Sequence, residues 1–208
     1  MNIFLLFIVI LIGYLLGSIS FSYLIAKKIK KVDIRHHGSG NAGATNTLRV
    51  LGVGPAITVL SLDIVKGIAA VWIGIFLAPD ASGIFPAFAG LAAILGHNWP
   101  VYFGFRGGKG VATTIGVIAT LVFFPALYAG IIAIISILLT RYVSLGSLLF
   151  ALCTPIFAFL LLETYQIPAM YIILTIFVAV LSFWRHRENI QRLLNGTESK
   201  IGQKKEAS

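Results

Sequence analysis

The stretch Gly96-His97-Asn98-Trp99-Pro100-Val101-Tyr102-Phe103-Gly104-Phe105-Arg106-Gly107-Gly108-Lys109-Gly110-Val111-Ala112-Thr113-Thr114 lies between two apolar segments. It holds two cations, a histidine and five of the chain's 21 glycines. In Arg106-Gly107-Gly108-Lys109-Gly110 the glycines let backbone N–H groups converge without Cβ interference, and the cations can neutralise a phosphate or carboxylate. A helix beginning at Val111 would add the positive end of its dipole to the same field. The run is not a Walker A loop, because Thr113 and Thr114 come too late after Lys109. The alternative is a glycine-rich turn whose basic residues face lipid headgroups.

The chain around this stretch has 208 residues, 58% hydrophobic and 11% charged, with a mean hydropathy of +0.96. Those values exclude an ordinary soluble domain and indicate a polytopic membrane protein. The formal charge of +9 does not suggest nucleic acid, since the basic residues lie in patches flanking apolar segments. Cys153, the single cysteine, excludes an intramolecular disulfide. Residues 3–25 are expected to be a membrane span and not a cleavable signal peptide.

Apolar segments run at about 3–25, 55–77, 84–96, 111–124, 126–140, 145–162 and 167–184. Residues 111–140 could be one helix kinked at Pro125 or two short ones. Cytoplasmic loops collect Lys and Arg, and here these residues gather at 27–49, 106–109, Arg141 and from Arg185 onward. Only seven crossings put all four basic regions on one side, leaving Asp80 and Glu163 at the other. The expected fold is therefore an all-α polytopic membrane protein with seven transmembrane helices, several short, N-terminus outside and C-terminus cytoplasmic. Residues 1–208 form a single domain, and 194–208 a short polar tail, disordered at its end. Gly13 and Gly17 make a Gly-x-x-x-Gly pair suited to close helix packing. Asp63 and Lys66 share a helix face, so an ion pair there should face the protein interior and support the site.

Three other stretches on the basic side resemble the central loop in kind. Residues 33–49 offer small hydrogen-bonding groups, including Ser39, Gly40, Asn41 and Asn46, followed by Arg49 as a possible phosphate clamp. A polar turn with a helix cap at Thr45 or Asn46 is the plainer alternative. Arg141-Tyr142-Val143-Ser144-Leu145-Gly146-Ser147 is a short link that either caps a helix at Ser144 or contacts a ligand. In Trp184-Arg185-His186-Arg187-Glu188-Asn189, His186 and Asn189 project from one face if the helix continues. Convergence of four such stretches implies one cytoplasmic pocket for an anionic solute, opening onto the bilayer. No carboxylate pair or His/Cys cluster suggests a metal, and no cofactor is expected.

At these residues the chain resembles the membrane-integral bacterial acyl-phosphate:glycerol-3-phosphate acyltransferases. The resemblance covers Gly38–Asn46 with Arg49, Asp63 with Lys66-Gly67, Gly96–Pro100, Gly107–Thr113, Tyr142–Ser147 and Arg185–Ile190. It implies transfer of a fatty acyl group from acyl phosphate to the 1-hydroxyl of sn-glycerol 3-phosphate, the first acylation of bacterial phospholipid synthesis. The products are lysophosphatidic acid and phosphate. Arg49, Lys109, His186 and Asn189 match the family's catalytic set, with Ser39 and Ser147 as hydroxyl contacts. Gly40, Asn41, Asn46, Gly107, Gly108, Gly110 and Thr113 are further candidates for substrate binding. The 107–110 loop is assigned to the phosphoryl group of acyl phosphate. The resemblance implies a multi-pass protein of the bacterial plasma membrane, acting as a monomer among membrane lipids. A transporter of organic phosphates is the competing reading, but it would place polar groups near mid-membrane.

Overall fold

The computed structural model describes residues 2–77 and 82–203, so Asp80 lies outside the described residues. The described chain is all-helical: α1 (Ile3–Gly17), α2 (Phe21–Lys30), α3 (Ala44–Leu51), α4 (Val53–Leu77), α5 (Ile84–Asn98), α6 (Val111–Leu121), α7 (Phe123–Thr140), α8 (Val143–Leu160), α9 (Ala169–Arg185) and α10 (Arg187–Leu194). Ile3–Lys30, α4, Ile84–Phe103, α7 and α8 are each long and apolar enough to cross a bilayer. A sixth span results if α9 and α10 are taken together across the 61° bend between them. Helix α6 is apolar but only 11 residues long, about half of a ~30 Å hydrocarbon core. The chain is an integral membrane protein in which each of the seven apolar segments carries a helix.

Helix breaks have local causes. The first segment breaks after Gly17, where the Ser18 hydroxyl donates to Tyr14 O at 2.8 Å beside the Ser18 N–H, which donates to the same carbonyl at 2.9 Å. Such back-bonding by serine competes with helix continuation. Between α6 and α7 the chain breaks at Val122 (φ −141°, ψ 68°), not at Pro125. Pro125 instead sits in the first turn of α7, where a missing N–H costs nothing. Two helices, not one kinked helix, therefore occupy residues 111–140. Arg141 (φ 64°) ends α7 in a left-handed conformation and permits the tight reversal into α8.

Backbone approach at small residues sets the packing. Gly13 and Gly17 of α1 lie against the carbonyls of Ala89 and Ala93 in α5, leaving no room for a side chain. Gly67 of α4 likewise meets Thr113 O, and Gly116 of α6 meets Ile64 O. The Asp63–Lys66 pair closes at 2.7 Å with both side chains 1% exposed, facing the interior as its position in a membrane span demands. Overpacking at Gly17 cannot relax, because its neighbour is backbone. Gly17→Leu should cost about 1–3 kcal/mol or more; a thermal midpoint in detergent equal to the parent's would mean that α1 and α5 do not pack in this way.

Candidate active site

The central loop leaves α5 at Asn98 and returns to the membrane as α6. Its glycines have a packing reason that the reading as an anion cradle does not supply. A Cβ on Gly107 would strike the carbonyls of His97 and Asn98, and one on Gly108 would strike the His97 ring and Ala42 O. The Gly108 N–H donates to His97 O at 3.1 Å, and its carbonyl accepts from Arg185 at 2.5 Å. Gly110 (φ 82°) caps α6, which begins at Val111 as expected. Held from both sides, the loop aims Lys109 at the C-terminal elements, where its Nζ donates to Asn189 Oδ1. Burial first, and Arg192 second, push the Lys109 ammonium down to about 8.

Contrary to the expectation of a continuing helix, the chain bends at His186, which ends α9 and starts α10. His186 and Asn189 are nevertheless both buried. His186 Nδ1 lies 2.8 Å from Ser182 O. A carbonyl only accepts, so Nδ1 carries the hydrogen and Nε2 holds the lone pair of the neutral ring. Burial, and after it the Lys109 ammonium, push this imidazole down to about 4. Glu188 is exposed.

The residue that sequence reasoning missed is Glu198. Gly196 (φ 68°) reverses the chain after α10, and Glu198 folds back until it is buried. It accepts from Asn189 Nδ2 at 2.7 Å, Ser144 Oγ at 2.8 Å and Arg192 Nε at 2.7 Å. Burial raises the carboxyl, but the hydrogen bonds from Arg192, Asn189 and Ser144 outweigh it and hold the group below its ordinary value. Glu198 also fixes the Asn189 amide: with Nδ2 committed to the carboxylate, Oδ1 faces Lys109. The tail is tied down further by Ile201, whose N–H donates to Arg141 O at 2.9 Å.

The first polar stretch joins the same surface. Arg35 donates to Phe103 O at 2.6 Å, pinning it to the central loop. Helix α3 is capped by Gly43, and Thr45 and Asn46 lie inside it. Asn46 is fully buried, accepting from Ser39 N at 2.8 Å and donating to Ile34 O and His37 O at 3.2 and 2.9 Å. Its amide shapes the loop that presents Ser39, Gly40 and Asn41. Arg49 is exposed on α3 and forms no hydrogen bond or ion pair with another described residue. Thr113 is buried with an unpartnered hydroxyl. Ser147 donates to Val143 O at 2.9 Å within its own helix, so Ser144 is the α8 hydroxyl that reaches the C-terminal carboxylate. Ser144 is not the cap of α8, which starts from Tyr142. The structure thus joins Lys109 to Asn189 directly, with His186 near enough to feel the Lys109 charge, and Lys109 itself rises from the glycine loop of Gly107, Gly108 and Gly110.

A membrane-embedded helical scaffold brings a half-buried lysine, a buried imidazole, a buried amide and a glycine loop together at one end, an arrangement suited to a membrane-integral enzyme of group transfer. The family model described as glycerol-3-phosphate acyltransferase matches residues 7–196. A glycerol-3-phosphate acyltransferase of Halalkalibacterium halodurans is 68% identical over 94% of this chain and 95% of its own. The corresponding protein of Shouchella clausii is 66% identical over 94% and 95%. A crystal structure of PlsY (YgiH), an integral membrane glycerol 3-phosphate acyltransferase in its glycerol 3-phosphate form, superposes with a TM-score of 0.85. It is 40% identical and matches over 95% of this chain and 96% of that one. The chain belongs to the glycerol-3-phosphate acyltransferase family.

Two measurements test this geometry. Glu198→Ala leaves the Asn189 amide and Ser144 hydroxyl without their acceptor, an expected loss of about 1–3 kcal/mol or more. Thermal midpoint and acyltransferase rate should fall together, with Glu198→Gln recovering part of both. Lys109 is cationic below about 8 and loses its charge as pH rises through that value, so kcat/KM should show a basic limb there. Lys109→Arg should move that limb to higher pH while restoring only part of the rate, because a forked guanidinium does not replace a compact ammonium.

Proposed function

We propose that this protein transfers a fatty acyl group from acyl phosphate to the 1-hydroxyl of sn-glycerol 3-phosphate. The products are 1-acyl-sn-glycerol 3-phosphate (lysophosphatidic acid) and inorganic phosphate, in the first acylation of bacterial phospholipid synthesis. The observation that carries the reading is the meeting of Lys109 with Asn189 above the glycine loop, beside His186. Solved relatives described as the glycerol 3-phosphate form and the lysophosphatidic acid form support both acceptor and product. Two phosphorylated substrates need several anion contacts, and an acyl chain needs a site that opens onto lipid.

In this mechanism the glycerol 1-oxygen attacks the acyl carbonyl carbon, and the bond from that carbon to the phosphate oxygen breaks. The leaving phosphate is stabilised by Lys109 and by backbone N–H groups around Gly110 at the start of α6. Arg49 and Ser39, together with Gly40 and Asn41 of the same loop, take the remaining phosphate oxygens. His186 and Asn189 orient the acceptor, while Asn46, Gly107, Gly108, Thr113 and Ser147 shape the pocket around it. Acyl phosphate is a mixed anhydride, so demand for a strong base is low. An imidazole held near 4 is neutral but weakly basic at neutral pH, which favours an orienting role. The hydroxyl proton then passes to a phosphate oxygen of the substrate. His186→Gln is expected to retain measurable turnover with an unchanged pH–rate shape; an inactive variant with substrate binding intact would make the imidazole the base.

The direct test of the reaction is phosphate release by purified protein given acyl phosphate and glycerol 3-phosphate, with lysophosphatidic acid identified by mass. Absence of turnover with this pair overturns the reading. Arg49→Ala and Lys109→Ala should each remove most activity, since a charge-assisted contact is worth about 1.5–3 kcal/mol before any misplacement of the hydroxyl is counted. The enzyme is read as a single-domain monomer of the bacterial plasma membrane, needing no metal or cofactor and surrounded by lipid. Its seven helices α1 and α4–α9 cross with the N-terminus outside, so the site is cytoplasmic. Cysteines placed at Lys109 and Arg192 in a Cys153→Ala background should resist an impermeant reagent added to intact cells; labelling at either position contradicts this topology.

A further inference from the structure

Behind the glycine loop lies a buried cluster of charged and polar groups. Lys66 Nζ makes three contacts: Asp63 Oδ1 at 2.7 Å, Ile19 O at 2.8 Å and His97 Nδ1 at 3.0 Å. The last two are hydrogen bonds and the first is an ion pair, since Asp63 Oδ1 has no partner in hydrogen-bond geometry; an ammonium has hydrogens to give and no lone pair. His97 Nδ1 must therefore accept, which puts the hydrogen of a neutral ring on Nε2. The contact of His97 with Asp63 is longer, 3.5 Å, as expected if Nδ1 bonds the ammonium instead. Ile19 lies in the break between α1 and α2, where its carbonyl is available to a side chain. The cluster thus fastens that break, α4 and the end of α5 at one point, with all three side chains almost completely buried.

Its other side touches the site. His97 O accepts the Gly108 N–H at 3.1 Å, and the imidazole Nε2 edge fills the space where a Gly108 side chain would stand. Lys109 is the next residue. Full burial of an ion pair contributes little net stability against apolar packing, so the pair is better explained by what it fixes than by stability alone.

We propose that Asp63 and Lys66 act through His97 as a positioning unit that sets the height of the Gly107–Gly108 backbone, and with it the place of Lys109. None of the three touches substrate. A displacement of about 1 Å at Lys109 would cost on the order of 100-fold in rate, which makes such a brace consequential. The inference rests on the acyltransferase reading for its effect on rate, but not for its effect on Lys109 itself.

The experiment measures modification of Lys109 by a limiting amine-reactive ester, quantified by mass spectrometry against exposed Lys27 in the same sample, alongside kcat/KM. His97→Asn keeps an amide oxygen near the Nδ1 position for Lys66. His97→Gln places its amide at the Nε2 end and withdraws that acceptor, and His97→Ala removes both. Lys109 should label roughly fivefold faster in His97→Ala and His97→Gln, reporting a loosened loop. Their kcat/KM should fall at least about tenfold, while His97→Asn stays within about threefold of the parent in both readouts. Parent-like Lys109 labelling in His97→Ala and His97→Gln overturns the proposal, as does His97→Asn behaving like His97→Gln. If His97→Ala is not recovered folded, the Asn and Gln variants decide between the same two outcomes. A parent protein that turns over no acyl phosphate would overturn the reaction, whereas the labelling comparison would still test the brace.

Discussion

The peptide backbone at Gly107 and Gly108 lies directly on the carbonyls of His97, Asn98 and Ala42, with no space for a side chain between them. Everything that makes the site depends on this approach. It places the Gly108 N–H on His97 O and the Gly108 carbonyl on Arg185, so the loop is clamped between α5 and α9. Lys109, on that clamped loop, donates to Asn189. A single added methyl group in the loop would need backbone to move, and interiors packed at this density do not yield locally.

Around that contact the polar groups are ordered by the hydrogen bonds each can still make. Asn189 gives an amide hydrogen to Glu198 and so turns its oxygen to Lys109. His186 gives its Nδ1 hydrogen to Ser182 O and so keeps Nε2 as an acceptor. Asn46 commits its amide to three backbone groups and so shapes the loop of Ser39. Arg49 is the exception, exposed and uncommitted to another described residue. An arginine left in that state keeps its five donors free of protein acceptors.

How much of this was legible follows from the range of each interaction. The start of α6 was readable because Gly110 and the apolar run from Val111 are local signals, and the interior Asp63–Lys66 pair follows from three-residue spacing. The exact break at Val122 was not, since nothing in its side chain stops a helix and only the position of Pro125 hinted at a boundary nearby. The sharp turn at His186 was hidden in a sequence that reads as continuous helix. Asn189 and Lys109 are 80 residues apart, so composition could place both on one membrane face but not in contact. Glu198 was missed because it sits in a polar tail. The turn signal Asn195-Gly196 ahead of a lone acid among cations was the available clue. The link at Ser144 was open between a helix cap, which serine favours, and a ligand contact, yet tertiary contact with Glu198 claims its hydroxyl.

The central claim is that these elements assemble a phosphate site at Lys109. The most direct measurement is the rate at which Lys109 of the intact membrane protein reacts with an amine-directed ester in inorganic phosphate and in chloride of equal ionic strength. An occupied site should slow Lys109 saturably, by roughly fivefold or more at high occupancy, while exposed Lys27 reacts equally in both. Equal rates for Lys109 in phosphate and chloride would contradict the account.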